Sequence, residues 1–418
     1  MNTPNTSIEN DFKLNKWFDF SMLSLCVMAF LGFVLRSKIV FELPFINYNH
    51  LLEAHSHFGL GGWATLTIMT MLIRELLPES SRKKEIYQWI LGSVLFFAWT
   101  MLITFMIWGY NGISTVSMLC FIMLNYFWGG VFLKDLFKTN TDSTVKLLAG
   151  SSVICLVLST SGLLAISYIY FSKSFDAFLY RNALFTYLHF LYNGFFTLAI
   201  FAILFNLVIQ KTDGRVSNGN MQWFAKTLCL SIIPSLFITY LWQDPNKWIR
   251  IIAILGCIVL LICFYIFLKT MASLQSIYKH QKPVIRWLIF VSLTSFMLKI
   301  FLQGFTVFPV IGNAIFGNRP VIMGFLHMVF LAFVSLFILA YFIQEGLLNS
   351  HMKWVTTGSY LFVIAVVINE MLLLTQGLST MLVAGSIVFP WLLWLTAIVL
   401  FLATLFIVFG RIHSRRGR

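Results

Sequence analysis

Three histidines fall within eight residues in Tyr48-Asn49-His50-Leu51-Leu52-Glu53-Ala54-His55-Ser56-His57. Imidazole nitrogen is the usual axial ligand of haem iron and a common ligand of other transition metals. Two residues apart on a helix means about 200° of rotation, so His55 and His57 cannot both address one iron. His50 and His57, seven apart, share a face that suits a polar lining or a metal contact, or ordinary hydrogen bonds in a half-wet interfacial layer. In Tyr187-Leu188-His189-Phe190-Leu191-Tyr192-Asn193-Gly194-Phe195-Phe196-Thr197, His189 and Asn193 stand four apart on one face. That face suits a metal, a water chain, a substrate, or a hydrogen bond to a neighbouring helix. Gly324-Phe325-Leu326-His327-Met328-Val329-Phe330 holds a single histidine in an apolar run. Lys299 and Glu370 complete the set of ionisable groups inside apolar runs. Paired with each other they would fix helix packing; separate, they would be stations on a proton path. His280, His351 and His413 lie among Lys and Arg and read as solvated.

The elements that position these residues are membrane helices. Of 418 residues, 59% are hydrophobic and 11% charged, with a mean hydropathy of +0.86. A soluble domain carries about one-quarter charged residues. Runs of roughly 20 apolar residues, each long enough to cross a hydrocarbon layer, recur along the whole chain. Charged or Gly/Pro/Asn-rich breaks divide it into about twelve spans at 17–40, 52–76, 86–109, 112–133, 146–170, 183–209, 223–243, 248–269, 285–308, 321–344, 354–376 and 383–410. The expected organisation is a cytoplasmic N-terminal segment (1–16), a twelve-helix transmembrane domain (17–410) and a basic cytoplasmic tail (411–418). The polar start lacks the architecture of a cleaved signal, so the first apolar run is expected to be a retained helix.

Loop charge orients the bundle. Of 29 Lys and Arg residues, twenty-one fall on the side of the termini and seven on the other, with Lys299 inside a span. The positive-inside rule then makes both termini cytoplasmic. A net charge of +14 is accounted for by basic loops facing anionic lipid, with no nucleic-acid partner. The six cysteines (Cys26, Cys120, Cys155, Cys229, Cys257 and Cys263) lie singly in apolar runs and read as small hydrophobes. No internal repeat stands out, which weighs against an inverted-repeat transporter.

Three stretches resemble the catalytic subunit I of the haem-copper oxidases, a twelve-helix family that includes the nitric oxide reductases. Tyr48-Asn49, four residues, then Ala54-His55 resembles the family's second helix, which implies that His55 is a low-spin haem ligand, with His57 the alternative. Leu326-His327 matches the second histidine of the family's tenth-helix pair, the other low-spin ligand. His189, followed by Asn193-Gly194-Phe195-Phe196, is similar to the copper-ligating histidine of the sixth helix in C-type oxidases. The departures are as specific: Phe325 stands where the high-spin haem ligand is expected, and 223–243 contain no histidine for the copper. Twelve-helix haem proteins of nitric oxide response are also similar.

The resemblance implies a haem-copper oxidase subunit I-like all-α membrane bundle in the inner (cytoplasmic) membrane. It implies a low-spin haem b between His55 and His327, with His189 as a copper-site remnant. The expected activity is respiratory electron transfer or handling of O2 or NO, as an oxidoreductase if active. His189, Asn193, Lys299 and Glu370 are the candidate catalytic residues, and respiratory subunits or a cytochrome or quinol donor the expected partners. Two rivals stand beside it. One is a proton-coupled secondary transporter whose path is lined by His55, His189, Lys299 and Glu370; the other is an assembly subunit whose histidines only pack.

Overall fold

In the computed structural model of the chain, residues 12–174, 176–212, 219–382 and 385–416 are described. Residues 1–11 of the polar start, Arg215, residue 383 at the expected head of the last span, and 417–418 of the tail lie outside them. Helix is the only regular structure among the described residues. Eleven helices there are long and apolar enough to cross a membrane. In chain order they are span 1 (Phe12–Val40), span 3 (Glu85–Trp108), span 4 (Gly112–Leu136), span 5 (Ser143–Ser172), span 6 (Ala177–Lys211), span 7 (Gly219–Gln243), span 8 (Lys247–Lys279), span 9 (Pro283–Phe305), span 10 (Arg319–Gln344), span 11 (Lys353–Met381) and span 12 (Val388–Arg416). Span 2 runs through 48–76 as three joined helical segments. Its glycines, histidines and threonines dilute its hydropathy, yet its length suffices to span. A short helix, Pro309–Phe316, which hydropathy did not announce, precedes span 10.

Helices are the form in which a lipid-facing backbone can satisfy its own polar groups. Side-chain caps set where they begin. Asn111 and Ser114 form a reciprocal capping box on span 4. Asp142, Asp176, Asn246 and Asn318 accept backbone N–H bonds at the heads of spans 5, 6, 8 and 10.

Two compact units divide the chain. Of the described residues, the first holds 12–139, Phe342–Ser359 and 397–416. Within it, Asp19 and Arg411 tie the first span to the last at 2.8 Å. Asp135, 5% exposed, is held by Lys84 (2.6 Å) and the Tyr87 hydroxyl (2.9 Å), so the heads of span 3 and the end of span 4 share one buried carboxylate.

The second unit holds Asn140–Tyr341 and Tyr360–Thr396. Phe201, Phe224, Phe267, Phe296 and Phe333, one each from spans 6 to 10, meet with ring centroids 4.8–6.4 Å apart. The edge-to-face pairs among them add about 0.5–1.5 kcal/mol each beyond burial. Two glycines set close helix crossings. A Cβ on Gly162 would run into the Ala183 carbonyl and lie 2.7 Å from the Tyr187 nitrogen, and one on Gly256 would lie 2.6 Å from the Pro234 carbonyl.

Spans 2, 6 and 10 share a departure from α-helical spacing. Each contains a π-helical segment, at Gly59–Thr65, His189–Phe196 and Met328–Ser335. Aligned without gaps on His57, His189 and His327, these stretches reveal a threefold repeat that the sequence did not disclose by eye. Five residues on stands a small residue (Gly62, Gly194, Ala332), six on an aromatic (Trp63, Phe195, Phe333), eight on a hydroxyl (Thr65, Thr197, Ser335) and nine on a leucine (Leu66, Leu198, Leu336). Five matched positions within ten-residue stretches spaced 132 and 138 residues apart are too few to catch the eye without the backbone feature that marks them.

Candidate functional site

In the first unit, Asn47 caps the helix that carries the three histidines, its side chain accepting from the Asn49 and His50 nitrogens. The faces divide as rotation requires. His50 packs on Gly109, whose φ of 62° and lack of a Cβ admit the ring: a Cβ there would lie 2.6 Å from it. His57 lies flat on Phe105 (4.4 Å, 9°) with its Nε2 3.0 Å from the Tyr110 hydroxyl. His50 and His57 therefore face the turn between spans 3 and 4. His55 faces span 1, where Gly32 leaves room beside its Cε1; a Cβ on Gly32 would stand 3.3 Å away.

In the second unit, His189 is fully buried with both ring nitrogens engaged. Nε2–H donates to the Ile232 carbonyl at 2.8 Å, and the Asn193 amide donates to Nδ1 at 2.9 Å. Ile232 precedes Pro234, where span 7 loses an N–H donor and then tightens into a 3-10 turn over Phe237–Gln243. The pair His189 and Asn193 thus braces the distorted part of span 7. Four residues apart on one face, they meet as their spacing predicts; the carbonyl partner carries no sequence signal beyond Pro234.

His327 donates from Nδ1 to the Met323 carbonyl at 2.7 Å. That bond fixes the neutral tautomer whose Nε2 carries the lone pair. Residues 321–327 are all half-buried, so protein seals no face of this helical turn, including that of His327. Phe325 lies 6.2 Å from Tyr192, and Phe330 packs on Tyr192 (5.9 Å) and Phe196 (5.6 Å), ring centre to ring centre.

Lys299 is 3% exposed and lies over the Phe296 ring at 5.6 Å. It does not pair with Glu370, whose carboxylate takes a 3.0 Å bond from the Asn369 amide. Among the described residues no three His, Cys, Asp or Glu side chains gather as a metal site, and the six cysteines carry free thiols. Sequence reasoning missed Gly32, Phe105 and Tyr110. Phe105 lies in the last turn of span 3 and Tyr110 just after it, and only the fold reveals that they receive His57.

No protein-family profile and no curated protein matches this chain. Among solved structures it is similar to a haem-copper terminal oxidase dimer determined by cryo-EM, with a TM-score of 0.71 at 13% identity, over 98% of this chain and 84% of the other. The chain has the haem-copper oxidase subunit I-like bundle, an all-α integral membrane fold.

Proposed function

We propose that this chain binds one low-spin haem b with His55 and His327 as axial ligands, and that it serves respiratory electron transfer or the handling of O2 or NO. The observation that carries the reading is the bond from His327 Nδ1 to the Met323 carbonyl (2.7 Å), which presents Nε2 as the metal-binding nitrogen. Gly32 supports it by giving the His55 ring room on the side away from Phe105 and Tyr110. His57, stacked on Phe105 and bonded to Tyr110, is the poorer ligand.

Bound there, the haem supplies a one-electron couple. The residues of the chain hold the iron, and Met323 keeps the His327 ring in one tautomer and orientation. Copper does not fit: His189 has a hydrogen-bond partner at each nitrogen, and among the described residues no three His, Cys, Asp or Glu side chains gather as a metal site. Phe325 stands at the position where the resemblance expects the ligand of a second haem, so the proposal carries one haem and no step through a copper. If the chain is an active oxidoreductase, its reaction runs at that haem. The inner membrane with both termini cytoplasmic, a cytochrome or quinol donor and partner respiratory subunits complete the reading.

Protein purified from cells supplied with haem is expected to give a reduced-minus-oxidised spectrum with a b-type alpha band, one haem per chain, and copper at background. Absence of the band sinks the proposal. His57→Ala is expected to keep the band and its intensity, since that ring is committed to Phe105 and Tyr110; loss of the band there, with His55→Ala unaffected, would reassign the ligand.

One observation favours the transporter reading. Lys299 is a buried amine with no ion pair to a carboxylate among the described residues, a costly arrangement at membrane depth that proton traffic would explain. That reading gives proton-coupled uptake into proteoliposomes, abolished by Lys299→Met, and a colourless protein; a coloured protein without transport excludes it.

A further inference from the structure

The π segment beside His327 is held by two hydroxyls. Ser335, 1% exposed, donates to the Phe330 carbonyl five residues back at 2.8 Å. Ser292 of span 9, fully buried, donates across to the Phe333 carbonyl at 2.7 Å. The repeat supplies an independent instance: Thr197, aligned with Ser335, donates to the Tyr192 carbonyl, also five back, at 2.5 Å. Thr70 and Ser159, away from the π segments, donate four and three residues back as hydroxyls on ordinary helices do.

A π segment accommodates one extra residue, and it gives way to the α-helix unless something holds it. Reverting to α spacing rotates the residues on one side of the segment by about 100° relative to the other. His327 stands immediately before Met328, where the segment begins. We propose that Ser335 and Ser292 are positioning residues that lock the π register of span 10 and thereby aim His327 at the haem iron. The proposal rests on His327 being a haem ligand. Ser335 acts from within the span and Ser292 from its neighbour, so either hydroxyl resists the rotation and loss of both releases it. Thr197 performs the same task for His189, whose Nε2 is thereby kept on the Ile232 carbonyl.

The test uses full-length protein purified with haem: wild type, the double variant Ser292→Ala/Ser335→Ala, Ser335→Thr, and Ser159→Ala as a buried-hydroxyl control. The ferric low-spin EPR signal is measured per haem bound, and amide exchange over 328–336 is measured on haem-free protein. The double variant is expected to lose on the order of tenfold in the bis-histidine signal. It is also expected to exchange about tenfold faster across 328–336, while the other two variants match wild type. A double variant with the wild-type spectrum overturns the proposal, as does faster exchange without a spectral change, because the turn would then be held without aiming the ligand. A wild type without haem refutes the haem reading itself; the exchange experiment still judges the π lock, and unchanged rates refute that.

Discussion

His327→Ala is expected to abolish the low-spin haem spectrum while leaving the fold in place. The two effects separate because the side chain is half-buried and its hydrogen bond to the Met323 carbonyl lies within its own helix. Alanine is the best helix former, so the exchange costs the span little. On the proposed ligation the iron, by contrast, loses one of two axial ligands. Bound haem is expected to fall below about one-tenth of wild type, which corresponds to at least about 1.4 kcal/mol of binding free energy. Any haem retained is expected to be high-spin. His55→Ala gives the same loss from the other ligand, and the double variant adds little, since neither histidine alone makes the low-spin centre. Pyridine haemochrome stoichiometry and EPR check this, with circular dichroism as the fold control. A full low-spin complement in His327→Ala would mean that another residue ligates the iron and that the second-helix to tenth-helix assignment is wrong.

The spans were legible because lipid writes its demands on composition: each helix must be apolar for its whole length, and its ends must be polar. The loop boundaries follow, and the structure moves the head of span 2 from 52 to Tyr48 because Asn47 caps there, a signal that hydropathy ignores. The division of His50 and His57 from His55 was legible too, since helical rotation alone separates them. What was not legible has a common cause. The partner of His189 is a main-chain carbonyl, and every residue has one; only Pro234 hints that the backbone near Ile232 is distorted. The π segments are likewise backbone events, with a residue pattern so sparse that the repeat emerges only once the segments locate it. The same applies to Lys299 and Glu370, whose depth was readable and whose lack of mutual contact was not.

Gly256→Ala is expected to cost about 2–6 kcal/mol, far more than a methyl group in a lipid-facing helix, and to do so by moving span 7. The added Cβ would lie 2.6 Å from the carbonyl carbon and oxygen of Pro234 and 2.8 Å from the Ser235 nitrogen. These are backbone atoms, which cannot turn aside as a side chain does, so the helices must part or bend, a form of overpacking that costs about 1–3 kcal/mol even in adaptable cores. The displaced segment includes Ile232, whose carbonyl takes the His189 bond. Breaking that bond leaves a buried ring N–H unsatisfied and adds about 1–3 kcal/mol. The loss therefore couples two spans through one glycine, and His189→Ala in the Gly256→Ala background should cost less than in wild type, because the bond it removes is already weakened. Gly130→Ala in span 4 is the counterpart: a Cβ there meets nothing within 4 Å, and replacing an interior helical glycine should gain up to about 1 kcal/mol. Thermal unfolding in one detergent, with the double-mutant cycle at 189 and 256, checks the pair. Additive effects at the two positions would mean that the His189 bond does not depend on the close crossing of spans 7 and 8.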